Sequence, residues 1–374
     1  MKIPITKPYV DEKEHKACFE SIKTGWVSQG PKVGEFEKII SDYVNAKYGI
    51  ATTSCTTALH VALLTMGIKP GDEVIVPSYT FIATANSVLY TGAKPVFVDI
   101  DEKTYNIDPN KIEEKITDKT KLIMPVHQVG LPAEINTINQ IAKKNNLKVL
   151  EDAACALGSE YKNKKIGSTN NACFSFHPRK SITTGEGGMI VTNDKRIGEL
   201  ARILRSHGAS ISDLARHKSD QIIFEEYPYL GYNYRMTDIQ ASIGIEQFKK
   251  LDYILKRRKE LAKRYDDLLS NINSVVTPFV PKNCRHNYQS YIIGLDKPKI
   301  SRDKVMQKLL EKGIATRRGI MAIHCEPYYV KRFGQISLPV TEKMVDSTII
   351  IPLFTKMTEE QQDYVVNHLK NTLG

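Results

Sequence analysis

The strongest constraint on this chain is a rhythm. Over the first 200 residues, short apolar runs recur with helix-forming stretches between them. The runs are Tyr48 to Thr52, Glu73 to Pro77, Pro95 to Asp99, Lys121 to Val126, Lys148 to Glu151, Ala172 to Phe176 and Gly188 to Thr192. Several are continuous and β-branched rather than alternating, as strands covered on both faces are. Strands alternating with helices imply an α/β fold around a mostly parallel sheet. A helix is expected from Thr57 to Met66, closed by Gly67 and the turn Lys69-Pro70-Gly71-Asp72. Thr237 to about Leu269 reads as one long or bent helix with a basic outer face, and the domain boundary is placed near it. That gives a large α/β domain over residues 1–250 and a smaller α+β domain over 251–374, with a strand at Gln289 to Leu295 and helices at Arg302 to Lys312 and Thr358 to Asn371.

Composition narrows the function. Hydrophobic residues make up 41% and charged residues 25% of 374, an ordinary globular balance. No apolar run is long enough to span a bilayer, and the first residues hold no continuous apolar core, so a cytoplasmic protein without membrane contact is expected. The net charge of +11 reads either as a lysine-rich solvated surface or as a field that draws anionic small molecules. Nucleic acid is not expected, because the basic residues are dispersed apart from the run Lys256-Arg257-Arg258-Lys259. The six cysteines are scattered, with neither a Cys-x-x-Cys pair nor histidines at zinc spacing, so no metal site and no disulfide framework is expected.

Three segments carry chemistry. Lys180 follows an apolar strand and precedes Thr183-Thr184-Gly185-Glu186-Gly187-Gly188, whose glycines could let backbone pass close to a ligand. A lysine desolvated there would favour its neutral, nucleophilic form. Asp152 ends the run Val149-Leu150-Glu151-Asp152, at the carboxyl edge of the sheet where α/β proteins bind ligands. It suits the acid that keeps a pyridine nitrogen protonated; helix capping is the plainer alternative. Glu151 should point to the opposite face. Finally, Ser54-Cys55-Thr56-Thr57 forms a hydroxyl-rich strand-to-helix turn that could hold a phosphate, or simply cap the helix.

In this order the three segments resemble the DegT/DnrJ/EryC1/StrS sugar aminotransferases, pyridoxal-phosphate (PLP) enzymes of fold type I. Gly25-Trp26-Val27-Ser28-Gln29-Gly30-Pro31, Pro70-Gly71-Asp72-Glu73-Val74-Ile75-Val76-Pro77-Ser78, Tyr90-Thr91-Gly92-Ala93-Lys94-Pro95-Val96-Phe97-Val98-Asp99 and Gly231-Tyr232-Asn233-Tyr234-Arg235-Met236-Thr237-Asp238 extend the likeness over nearly the whole chain. The resemblance implies that Lys180 bonds the cofactor and shuttles the proton. It further implies that Asp152 pairs with the ring nitrogen, that Phe81 stacks on the ring, and that Thr56, Thr57 and Ser175 bind the phosphate. Asn233 would reach the cofactor phosphate of a second subunit, with Arg235 near that phosphate or the substrate, so a homodimer with its active site at the interface is implied. The reaction implied moves an amino group from an amino acid, by analogy L-glutamate, to a nucleotide-linked ketosugar for surface polysaccharide or amino-sugar synthesis.

Departures from the family pattern bear on the substrate. Cys155 stands where relatives carry Gln or His near the ring oxygen, and a thiol is a weaker hydrogen-bonding group. Cys55 stands where glycine is common. Arg317 and Arg318 replace the usual His-Tyr pair ahead of His324, and arginine suits planar binding of carboxylate or phosphate; a surface pair is the plainer reading. His177 either meets substrate or only orients its neighbours, and Glu186 is a further candidate substrate contact. An acidic or phosphorylated keto substrate is the first alternative. A sugar dehydratase is disfavoured by Lys180, whose place histidine takes in such relatives. A non-catalytic regulator is disfavoured by the retained Lys180, Asp152 and hydroxyls.

Overall fold

A computed structural model describes residues 1–211, 222 and 224–374. Its strands in chain order are β1 Tyr48–Thr52, β2 Glu73–Pro77, β3 Lys94–Val98, β4 Thr120–Ile123, β5 Lys148–Asp152, β6 Glu160–Tyr161, β7 Lys164–Lys165, β8 Asn171–Ser175, β9 Gly188–Thr192, β10 Val275–Val276, β11 Cys284–Arg285, β12 Tyr291–Leu295, β13 Arg317–Arg318 and β14 Thr348–Ile351. The main sheet has seven strands in the order β1-β9-β8-β5-β4-β2-β3. The five from β8 to β3 run parallel, while β9 lies antiparallel to both of its neighbours. All seven sequence runs became strands of this sheet. Their continuous apolar character follows from burial on both faces. Ile75 and Phe174 pack into one core with Phe36, whereas Val74, Val76 and Cys173 pack into another with Leu59, because successive strand residues point opposite ways.

The first three helices are α1 Glu12–Lys23, α2 Pro31–Val44 and α3 Cys55–Thr65. α3 starts two residues earlier than its periodicity suggests, because Ser54 caps it and a reciprocal Ser54–Thr57 capping box closes the first turn. The expected single helix from Thr237 is two, Asp238–Phe248 and Leu251–Leu269, broken at Lys249 and Lys250. Its outer face is not uniformly basic either, since Asp252, Glu260 and Asp267 are exposed beside Lys256, Lys259 and Lys263. Arg258 is turned inward at 2% exposure, and burial pushes its guanidinium down to about 10.

The longer of these helices packs into a third core, with Leu261 and Tyr265 against Tyr291, Ile293, Ile349 and Ile351. There, four strands pair in the order β10-β12-β14-β13, so β13 is an edge strand. The N-terminal residues cross to this core: Ile3 is buried in it and exchanges backbone hydrogen bonds with Gly313 and Ala315. Among the described residues, no helix is long and apolar enough to cross a membrane.

Candidate active site

The carboxyl ends of β1, β2, β5 and β8 open onto a cavity of about 600 Å³. Asp152, the last residue of β5, is 4% exposed. Thr84 Oγ1 donates to its Oδ2 at 2.7 Å and the Ala154 N–H to its Oδ1 at 3.2 Å. Burial pushes this carboxyl above the usual carboxylate range, partly offset by those donors and by Lys180. Glu151 does point to the other face, where His127 Nε2 and Asn170 Nδ2 bond its two oxygens. His127 Nδ1 accepts from the Ala133 N–H at 3.0 Å, so its Nε2 is the nitrogen that donates to Glu151.

Lys180 reaches the same cavity by a tight turn. The Lys180 N–H donates to the His177 carbonyl at 2.8 Å, and Pro178 supplies the fixed φ such a turn prefers. Lys180 Nζ donates to Cys155 Sγ at 3.1 Å. Desolvation acts on this amine in the expected direction, toward the neutral form. Cys155, Cys55 and Asp152 together nevertheless outweigh burial and hold it above the ordinary lysine value. The glycines behind Lys180 also serve a different purpose from the one expected. A Cβ on Gly188 would strike Ser54 and the Cys55 N–H, and one on Gly187 would strike Thr184 and Met236. They make room for protein rather than for a ligand, while Gly185, at φ 83°, simply takes the left-handed turn.

The phosphate turn is divided. Ser54, Cys55 and Thr56 line the cavity, and so does Ser175 from the end of β8. Thr57 does not: its hydroxyl is held by the Ser54 carbonyl and N–H in the capping box, at 2.8 and 3.1 Å. Thr57 is therefore corrected from phosphate ligand to cap. Cys55 leaves the turn regular, since its thiol tucks under the sheet and donates to the Cys173 carbonyl at 3.6 Å. The leading N–H groups of α3 have no intrahelical acceptor and form a ready anion site with Thr56 and Ser175.

Phe81, 58% exposed, lines the cavity, as do His177, Glu186, Arg317 and Arg318. Burial pushes the His177 ring down, against a pull upward from Glu186, whose Oε1 is 3.9 Å from Nε2. Arg318 is exposed and meets Glu326 at 3.4 Å. His324 is corrected. It is 2% exposed and turned away, with Nδ1 on Ser78 Oγ at 2.6 Å and Nε2 on Glu342 at 3.2 Å. Both ring nitrogens are spent on anchoring residues 322–325, one to Ser78 just past β2 and the other to Glu342 on the helix Pro339–Ser347. Asn233 is exposed and Arg235 half-buried, and neither lines this cavity. Sequence reasoning missed Arg179 and Gln289, which line the cavity, and Thr84, the donor to Asp152. Arg179 adjoins Lys180 and could have been found; Thr84 and Gln289 arrive from distant segments with no local signal.

An amine, a buried carboxylate across from it, and hydroxyls beside a helix N-terminus form a donor set that fits PLP. The comparisons agree. The model of the DegT/DnrJ/EryC1/StrS aminotransferase family matches residues 8–370. The spore coat polysaccharide biosynthesis protein SpsC of Bacillus subtilis is 38% identical over 99% of this chain and 96% of its own length. Helicobacter pylori PseC, an aminotransferase involved in the biosynthesis of pseudoaminic acid, superposes with a TM-score of 0.92 at 28% identity, covering 100% of this chain and 99% of its own. NtdA of Bacillus subtilis, solved with bound cofactor PMP, superposes with a TM-score of 0.84 at 32% identity, over 97% of this chain and 81% of its own. From fold, donor set and likeness together, the chain belongs to the DegT/DnrJ/EryC1/StrS aminotransferase family and is a PLP-dependent aminotransferase.

Proposed function

We propose that this aminotransferase carries an amino group from L-glutamate to a nucleotide-linked ketosugar, for surface polysaccharide or amino-sugar synthesis. The observation that carries this reading is one cavity lined by two chemistries: Lys180 with the buried Asp152, and the exposed Arg317 with Arg318. The first suits amine transfer. The second suits an anionic substrate, which either the phosphates of a nucleotide-linked sugar or the carboxylate of glutamate would present. SpsC, a spore coat polysaccharide biosynthesis protein, and PseC, an aminotransferase in pseudoaminic acid biosynthesis, support a sugar acceptor here.

When bound, PLP supplies an electron sink for the carbon that loses its proton. The chain's own residues do the rest. The Lys180 amine would hold the cofactor and, once released, would move a proton from the amino-bearing carbon of the donor to the cofactor, and in the other half of the cycle from the cofactor to the acceptor carbon. Asp152, kept in place by Thr84 and the Ala154 N–H, opposes the ring nitrogen and keeps it protonated. Phe81 would cover the ring, while Thr56, Ser175 and the leading N–H groups of α3 would hold the phosphate. His177 and Glu186 border the space left for substrate. Asn233 and Arg235 lie outside the cavity of their own chain, so in this reading they complete the site of a second copy in a homodimer. Residues 1–250 hold the cofactor and 251–374 face it with the arginines. Nucleotide-linked sugars and free glutamate are cytoplasmic metabolites, so the reaction is assigned to the cytoplasm.

The arginines equally fit a phosphorylated or acidic keto substrate without a nucleotide, and one experiment separates the readings. Borohydride reduction of the PLP-loaded protein should leave its tag on Lys180 in the peptide map. Glutamate should then convert the cofactor to its aminated form, and only nucleotide-linked ketosugars should restore the aldehyde spectrum. A tag on another residue, or a spectrum indifferent to glutamate, would overturn the assignment; recovery with simple keto phosphates would select the second reading.

A further inference from the structure

The segment from His286 to Ser290, just ahead of β12, grips both loops that bring Lys180 and Cys155 together. Asn287 is 4% exposed. Its amide nitrogen donates to the Cys155 carbonyl at 2.7 Å and to the Leu157 carbonyl at 3.0 Å. Its own amide oxygen accepts from the Gln289 N–H at 2.9 Å. The Gln289 side chain donates to the carbonyl of Arg179, the residue before Lys180, at 2.6 Å. From the far side Gly130, at φ 100°, lies so close that a Cβ there would collide with Asn287 Oδ1. Arg258 holds the segment from behind, with Nη1 donating to the carbonyls of Tyr288 and Gln289 at 3.0 Å each. Between the two amides, Tyr288 sits at φ 50°. A bulky side chain adopts that conformation only where its surroundings over-determine it.

The side-chain amide donors of this pair go to backbone carbonyls of the two loops whose tips meet as Lys180 Nζ and Cys155 Sγ, 3.1 Å apart. We propose that Asn287 and Gln289 are a positioning pair that keeps the Cys155 thiol against the Lys180 amine by gripping the backbone on either side of that contact. The proposal rests on the reading that Lys180 carries the cofactor. Removing the amides would leave buried carbonyls without donors, which a loop relieves by shifting. The sulfur would then leave the amine. Among the groups that raise Lys180 above its ordinary value Cys155 comes first, with burial acting the other way. Loss of the contact therefore makes the amine easier to deprotonate, whereas a merely structural segment would cost thermal stability and leave Lys180 where it was.

The test uses Asn287→Leu and Gln289→Met, which keep approximate size and lose the donors. In the cofactor-free protein, pH-dependent acetylation of Lys180, read by peptide mass, should show a midpoint lower by about one pH unit in Asn287→Leu, a tenfold change in the protonation equilibrium. In the loaded protein, the pH titration of the visible absorption band should shift as well, and kcat should fall with little change in the KM for either substrate. Midpoints that coincide with the wild type in both variants, whatever the melting temperature does, would overturn the proposal. If Asn287→Leu does not fold, Gln289→Met decides by the same criterion. Failure of the underlying reading would look different: the wild type itself would give no visible band assignable to Lys180.

Discussion

Two parts of the cavity lining are built in opposite ways. Around Asp152 and Lys180 the side chains are held by partners: the carboxylate is buried and bound by two donors, Lys180 rests on Cys155, and the loops behind them are clamped by Asn287 and Gln289. Around Arg317 and Arg318 little is committed. Both side chains are exposed, on a two-residue strand, and Arg318 has one partner at 3.4 Å. The contrast separates what must be fixed from what must adapt. Proton transfer depends steeply on placement, so its groups are pre-organised even at an energetic cost. Recognition of a charged substrate tolerates mobile, solvated arginines, since long side chains can find planar oxygen pairs on their own.

The sharpest way to break this comparison is Asp152→Asn. If the buried part is the chemical one, the change should reduce turnover by roughly 10² to 10³-fold, as loss of a pre-organised electrostatic contact does elsewhere, with the amino-donor half-reaction as the assay. The same variant should be more stable than the wild type without cofactor. Burial raises the Asp152 carboxyl in the folded state, so the folded protein favours the protonated form and bears the charged form at a cost. That cost is absent below the unfolded value of about 3.9 and fully present once the pH has risen through the folded one. The melting-temperature advantage of the variant should therefore open as pH rises and vanish in acid. An Asn variant that is less stable at neutral pH would contradict this account of the buried part.

Next in size is Arg318→Ala. It should raise the KM for the anionic substrate by about 10-fold and leave kcat nearly unchanged, the loss of a charge-assisted contact at an exposed position. An unchanged KM for both substrates would remove Arg318 from recognition. The smallest effect is expected from Thr57→Ala. Loss of the Thr57 half of the capping box should cost up to about 1 kcal/mol of stability and leave PLP affinity alone, whereas Thr56→Ala should weaken PLP binding without a comparable loss of stability. Paired thermal melts and cofactor titrations would expose a reversal.

These assignments also mark how far sequence could go. The sheet was legible because its strands are buried on both faces, which leaves continuous β-branched runs that little else produces. Asp152 and Lys180 were legible because strand ends and turns place them locally. Thr57 was misread because a cap and a phosphate ligand share the same residue types in the same turn, and only the direction of the hydroxyl tells them apart. His324 was misread for a related reason: its partners Ser78 and Glu342 are 246 and 18 residues away, and adjacency to arginines in the chain said nothing about which way the ring turns. Asn287 and Gln289 act through backbone carbonyls, which carry no side-chain signature at either end of the bond.

The placement of Arg317 and Arg318 at the rim of a four-stranded sheet has an evolutionary corollary. Among the described residues β13 pairs with β14 alone, so one of its flanks owes nothing to their hydrogen-bond ladder, and residues 322–325 are pinned separately through Ser78. A lineage could therefore rewrite this short stretch, exchanging one acceptor preference for another, while the apparatus that handles the proton stays untouched.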